Sequence, residues 1–257
     1  MLLKADLSVA ATMECEHELL PYLPELLQDF DSLGSNPDVV IALLEVEAAR
    51  DIHTALDLCC GKGATAIALA KHFSIEVEGV DAIEAFIEAA KSAAITAGVS
   101  EQCRFITGDI CDTVVKPANY DLVIFSAIGP ILGGITKTIT HLLTPLRKGG
   151  WLLIDDCVLL PNAPIRKGFE AHAGFDETRA QIEQAGAEIV TVRRRPRDDV
   201  LSSHEVGNEF TQQRAVTLIN RKPELAELVN QYVERQHEEC AFLEQWTEDV
   251  TWLLKKP

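Results

Sequence analysis

Three short apolar runs in this sequence each end in residues able to hold a polar ligand. Residues 55–59 (Ala-Leu-Asp-Leu-Cys) lead into Gly61-Lys62-Gly63, residues 76–80 stop at Asp81, and residues 103–107 stop at Gly108-Asp109. Gly61 and Gly63 permit a tight turn in which the backbone approaches a ligand with no Cβ in the way. Asp81 offers two acceptor oxygens, which suits a vicinal diol such as that of a ribose. Asp57, inside the first run, can pair with a cationic ammonium, and Asp109 can accept from an exocyclic amine. Asp109 also has the residue type and place of a simple helix N-cap.

These residues share one crevice only if the three runs are neighbouring parallel strands. The pattern from 53 to about 155 supports this. Helical segments at 64–72 and 82–97, the second closed by Gly98, separate the runs. A fourth apolar run (121–125), a helix (135–146), Lys148-Gly149-Gly150 and a fifth run (151–154) ending at Asp155-Asp156 follow. Strands alternating with helices specify a parallel sheet with right-handed crossovers, and near-continuous apolar strands suit a sheet covered on both faces. Ligands in such sheets sit outside the carboxyl ends of the strands, at the switch point of the strand order. The expected fold is therefore α/β, a doubly wound and mostly parallel sheet of seven strands.

The flanks read differently. Leu19, Leu20, Leu23, Leu26, Leu27 and Phe30 recur at helical spacing, interrupted by Pro21 and Pro24, and Asn36-Pro37-Asp38 opens a second helix. Residues 1–50 are expected to form a helical cap on a core spanning 51–222. Within that core, a helix is expected at 176–184 and strands at 188–192 and 215–220, the last two as an antiparallel edge. The polar stretch 196–213 between them reads as a loop or flap. From Pro223 onwards, Leu225, Leu228, Tyr232, Cys240, Leu243, Trp246, Val250 and Leu254 keep a helical stripe, so 223–257 is expected to be one long helix, packed on the core or against a second copy.

Taken alone, Gly61-x-Gly63-x-x-Ala66 followed by Asp81 also fits a dinucleotide fingerprint, and with it an NAD-binding oxidoreductase. Asp57 within the first strand and Gly108-Asp109 after the third favour a sulfonium cofactor. The ordered segments LDLCCGKGATAIALA, VEGVDAIEAFIEAAK, FITGDI, YDLVIFSAIG and LRKGGWLLIDD resemble the motif series of class I S-adenosylmethionine-dependent methyltransferases, over residues 53–156. The resemblance implies a Rossmann-like fold with S-adenosyl-L-methionine as cofactor. It implies that Asp57, Cys59, Gly61 and Gly63 hold the methionine moiety and approach the ribose, and that Asp81, followed by Ala82, binds the ribose hydroxyls. Asp109 would take the adenine amino group, with the Ile110 backbone reading the ring, and Ser126 would face the methyl group. Cys59 departs from the pattern, since many members carry glycine there.

The acceptor is less legible, because a sulfonium methyl is already electrophilic and transfer needs chiefly an aligned nucleophile. Ser126-Ala127-Ile128-Gly129-Pro130 lacks the Asn/Asp-Pro-Pro-Tyr/Phe signature that resembles amide and adenine N-methylation sites. Asp155-Asp156 falls where catechol-type enzymes place two magnesium ligands, but Ser126 stands in for the third, and no metal is expected. Seven scattered Cys without a C-x-x-C pair point to reduced thiols in a cytoplasmic protein, not to zinc. Glu14-Cys15-Glu16-His17 is not expected to chelate, because adjacent helical side chains diverge. Ser126, Asp156 and His204 are the weak catalytic candidates. His17 is a further acid–base candidate, and His141 reads as a packed helix residue.

A net charge of −17 repels phosphate backbones, so a small-molecule acceptor is expected in preference to nucleic acid, beneath a cover made by residues 8–35 and 196–213. The basic run Arg193, Arg194, Arg195 and Arg197 reads as a solvated strand end or as a grip on an anionic substrate. The N-terminus lacks the apolar core of a signal peptide, and no run approaches the length of a membrane helix. A homodimer, a protein or RNA acceptor, and a cofactor-binding protein without catalysis stay open as alternatives.

Overall fold

The computed structural model describes residues 9–34, 36–48, 51–126 and 129–257. Readings that fall on residues 1–8, on residues 35, 49 and 50 in the cap, and on Ala127-Ile128 lie outside them.

Its centre is a seven-stranded sheet in the order β3-β2-β1-β4-β5-β7-β6. β1 (Thr54–Leu58), β2 (Glu76–Asp81), β3 (Cys103–Thr107), β4 (Tyr120–Ser126) and β5 (Leu146–Leu159) are parallel. β7 (Thr247–Lys255) runs antiparallel between β5 and β6 (Glu188–Arg194). The order reverses between β1 and β4, so the crevice of a doubly wound sheet opens there.

Strand alternation divides the core. Leu122, Ile124, Leu153 and Leu253 pack beneath α2 (Pro37–Glu47), α3 (Ala64–Phe73) and α4 (Glu84–Ala97). Val123, Phe125, Leu152, Ile154 and Trp252 pack against α6 (Ile135–Leu142) and α7 (Phe175–Gln184) on the opposite face; α5 (Ile110–Thr113) is a single turn after β3. The start of α2 follows its sequence: Asn36 accepts from Asp38 N at 2.9 Å, and Pro37 sits where no N–H is missed.

A third cluster joins the N-terminal segment to two long helices. Leu19 from the 3₁₀ turn His17–Tyr22, with Leu23 and Leu26 from α1 (Leu23–Leu26), packs on Ala215 and Leu218 of α8 (Arg197–Arg221). Val229, Tyr232 and Val233 of α9 (Ala226–Trp246) complete it.

The structure departs from the sequence pattern in four ways, three of them in the C-terminal third. Residues 197–213 are not a loop, and 215–220 is not a strand; both belong to α8. That helix buries only Val200, Thr211, Ala215 and Leu218, so its apolar stripe is too thin to read. Gly207, which reads as a loop signal, sits where a Cβ would lie 3.1 Å from the Phe30 ring. The long C-terminal helix stops at Trp246: Val250, Trp252 and Leu254 alternate with Thr251 and Leu253 across β7, a period of two that the helical stripe overlapped. β7, not 215–220, supplies the antiparallel pairing. β5 also runs on past Asp155-Asp156 to Leu159, so those carboxylates stand inside a strand.

Candidate active site

The turn after β1 is built on left-handed backbone. Cys59, Gly61 and Gly63 have φ of 56°, 53° and 79°. A Cβ at Gly63 would lie 2.7 Å from Phe105 Cζ, so this turn is seated directly on β3's aromatic side chain. Cys59 holds a conformation that costs a non-glycine residue roughly 1–2 kcal/mol, in the position where the resembling family carries glycine.

Asp81 ties the turn to β2. Its Oδ2 accepts from Gly61 N and its Oδ1 from Ile83 N, both at 2.9 Å. Burial raises its pKa, and these N–H groups oppose that rise. At the end of β3, Asp109 caps the one-turn helix α5, its Oδ1 accepting from Cys111 N at 2.8 Å, and Ile110 is buried behind it. The cap does not exhaust the carboxylate, which has further acceptor sites. Burial pushes the Cys59 thiol well up, and the charges of Asp81, Asp57 and Asp109 push it further. Three strand ends thus converge around one thiol. Ala82 and Ile83 lie in the turn before α4, which starts two residues later than its sequence pattern indicates.

Asp57 is 4% exposed, and its Oδ2 has no hydrogen-bond partner among the described residues. Burial, then the neighbouring Asp81, raises its pKa to about 7. Ser126 Oγ is likewise buried and unpartnered among them. Asp57, Cys59 and Ser126 line one small cavity with Lys62, Ala64 and Thr65, roofed by Ser32, Leu33 and Gly34. A buried carboxylate oxygen beside an unpaired hydroxyl can accept a cationic N–H donor, so the residues present fit a ligand carrying an ammonium.

The roof lies within the 8–35 cover expected from the sequence, but the contacts that tie it down were not legible there. Lys62 Nζ donates to the carbonyls of Leu27 and Gln28 at 2.9 Å and of Phe30 at 2.5 Å, and Leu33 packs on Gly61. From the other side, Arg214 of α8 makes a two-pronged bond to Asp29, with distances of 2.5 and 2.6 Å. The only available signal was a lysine between the two glycines.

The remaining candidates disperse. Asp155 accepts from Thr251 Oγ1 at 2.6 Å, whereas Asp156 meets His172 Nε2 at 3.3 Å, so the two carboxylates do not act as a pair. His204 joins α8 to Glu244 of α9 at 3.1 Å and lines neither this cavity nor the cleft beside Asp156. His17 lies in the N-terminal 3₁₀ turn, and His141 in α6. Glu14 pairs with Arg166 and Glu16 with Arg235, while Cys15 is buried, so the Glu14–His17 run diverges as expected. Arg194 and Arg195 are occupied by Glu248 and Asp249, which favours a strand-end role over a grip on an anion. His172, missed in the sequence, enters through the segment between β5 and α7.

Comparisons with known proteins place the chain in a family. A family model described as a methyltransferase domain matches residues 50–256. No curated protein matches the chain in sequence. A methyltransferase from Thiobacillus denitrificans, solved with S-adenosyl-L-homocysteine, is 22% identical with a TM-score of 0.73, over 92% of this chain and 98% of that one. A second, from Geobacter sulfurreducens with the same ligand, is 19% identical with a TM-score of 0.74, over 92% and 98%. A cyclopropane synthase from Mycobacterium tuberculosis is 13% identical with a TM-score of 0.71, over 99% of each chain. The chain belongs to the methyltransferase domain family and is a class I S-adenosylmethionine-dependent methyltransferase.

Proposed function

We propose that the cavity between Asp57 and Ser126 is the cofactor site and that the enzyme methylates a small molecule. The reading is carried by Asp57 Oδ2, buried and unpartnered among the described residues at the switch point of the sheet. S-adenosylmethionine supplies an electrophilic methyl group bound to a sulfonium sulfur.

The chain's own residues bind, orient and exclude water. Asp57 receives the ammonium, while the left-handed turn at Cys59, Gly61 and Gly63 brings backbone close to the ligand. Asp81, with Ala82 after it, takes the ribose hydroxyls on acceptor sites left over from its bonds to Gly61 and Ile83. Asp109 and the Ile110 backbone take the adenine. Ser126 marks the methyl end. Ser32–Gly34, which follow the segment that Lys62 holds, cover part of the cavity and limit its contact with water, which strengthens the electrostatic interactions inside. Lining up nucleophile, methyl carbon and sulfur is the main catalytic task.

Support for a small acceptor comes from the charge of −17 and from the cover. α8 backs the roof through Phe30 and Phe210, whose rings meet edge to face at 5.8 Å. No helix among the described residues is long and apolar enough to cross a membrane. All seven cysteines carry free thiols, which suits a reducing cytoplasm. The apolar residues of α9, Tyr232 and Val233 among them, are used inside the chain, which supports core packing over a dimer contact.

Calorimetry with S-adenosylhomocysteine and with NAD tests the site, and incubation with methyl-labelled cofactor and a metabolite extract tests the acceptor. Binding of S-adenosylhomocysteine and labelled small products are expected. NAD binding alone would overturn the site. Labelled RNA or protein in place of small products would overturn the acceptor class, as would bound cofactor without turnover on any metabolite fraction.

A further inference from the structure

Beyond the end of β4, toward the carboxyl end of β5, lies a second polar group of residues that the methyl-transfer reading does not use. Asp156 and Cys157 are consecutive on β5, and His172 comes from the segment before α7. One carboxylate oxygen, one sulfur and one ring nitrogen from these residues lie within 4.8 Å of one another. His172 is 9% exposed, with Nε2 at 3.3 Å from Asp156 Oδ1. Its Nδ1 is buried and has no hydrogen-bond partner among the described residues. The ring thus presents Nε2 to a carboxylate and lies beside a thiol.

The group lines a cavity of about 40 Å³ whose other walls include Phe125, Gly129 and Trp252. This is room for a water beside an ion.

We propose that Asp156, Cys157 and His172 form a binding site for one divalent transition-metal ion of the zinc class. Sulfur, imidazole nitrogen and carboxylate oxygen together suit a borderline-soft tetrahedral ion, whereas magnesium and calcium take oxygen ligands. Ligand atoms 3.3 Å apart, as Nε2 and Oδ1 are, match adjacent corners of a tetrahedron with bonds of roughly 2.0–2.2 Å. Three protein donors leave a fourth position, and it opens to the cavity. Phe125 lines that cavity, and Ser126, the next residue of β4, lines the cofactor cavity. The ion's exchangeable position therefore borders the strand end where methyl transfer is placed.

The test uses the full chain after chelator treatment, titrated with Co²⁺ and followed by its absorption spectrum. Saturation at one equivalent is expected, with a thiolate-to-cobalt charge-transfer band and the visible bands of a tetrahedral ion, both erased by one equivalent of Zn²⁺. Cys157→Ser should lose the charge-transfer band, and His172→Gln should lose one-equivalent binding. Each variant should keep its affinity for S-adenosylhomocysteine, which separates failure of this site from failure of the cofactor assignment or of folding. A band that survives in Cys157→Ser would belong to another thiol and would overturn the proposal. So would the lack of a saturable spectrum, or competition by Mg²⁺ as effective as that of Zn²⁺.

Discussion

Lys62, the residue between the two glycines of the β1–α3 turn, donates from Nζ to the Phe30 carbonyl at 2.5 Å and so binds the roof of the cavity to its floor. Two more carbonyls, Leu27 and Gln28, accept from the same ammonium. Burial lowers the pKa of this lysine, and hydrogen bonds to a charged group contribute about 1.5–3 kcal/mol. Lys62→Met keeps the stem and removes the charge. It should weaken binding of S-adenosylhomocysteine by roughly tenfold, about 1.4 kcal/mol, and speed amide exchange across residues 27–34 while leaving the sheet protected. Calorimetry and hydrogen exchange read the two effects. Unchanged exchange in that segment would remove Lys62 from the roof.

Asp57 makes cofactor binding depend on pH. With its pKa raised to about 7, the carboxyl of the empty site is largely protonated below neutrality, whereas a bound ammonium requires the carboxylate. Affinity for S-adenosylhomocysteine should therefore rise as pH climbs through about 7 and then level off. Below that point binding should release a proton, visible as a dependence of the calorimetric enthalpy on the buffer. Stability of the ligand-free protein moves the other way. A carboxyl whose pKa is higher folded than unfolded stabilises below the unfolded value of 3.8 and loses that contribution as pH rises to about 7. Asp57→Asn should flatten both profiles, in melting temperature and in affinity.

Gly63 is fixed by space and by backbone together. Its φ is 79°, and an added Cβ would meet Phe105 Cζ at 2.7 Å and Ala90 Cβ at 3.0 Å. Gly63→Ala should destabilise the protein by about 2–4 kcal/mol, the sum of left-handed strain and overpacking, as measured by urea unfolding. Adding Phe105→Leu should recover only part of that loss, because it relieves the contact and leaves the strain.

The halves of the chain differ in how openly they state their structure, for a physical reason. β1, β4 and the middle of β5 are buried on both faces, so apolar runs and glycine stops mark this half, and the special residues fall at carboxyl ends where the fold places ligands. Asp57, Gly61, Asp81 and Ser126 could be read for that reason. α8 gives no such mark: it is polar almost all round, and it packs on α9 and on a proline-broken segment remote in sequence. β7 was hidden because Trp246, Val250 and Leu254 continue a helical spacing by coincidence. Lys62 and His172 act through main-chain carbonyls and through a residue on another strand, relationships that a single sequence does not display.

β7 is therefore where a mutation most sharply distinguishes the observed fold from the helical reading. Trp252 is 2% exposed, and its ring stacks on Phe175 of α7 with centroids 5.0 Å apart. Its neighbours across the strand pairings are Ile154 of β5 and Val192 of β6. In a helix continuing from α9 that side chain would have no such partners, and its removal would be close to neutral. In a strand between β5 and β6, Trp252→Ala should cost about 3–5 kcal/mol, read as a lower urea midpoint. Because Trp252 also walls the cavity beside His172, the substitution should enlarge that space and, with the cofactor site proposed on the other side of β4, leave affinity for S-adenosylhomocysteine nearly unchanged. A loss below about 1 kcal/mol would return residues 247–255 to the surface and with them the antiparallel pairing on which the outer sheet depends.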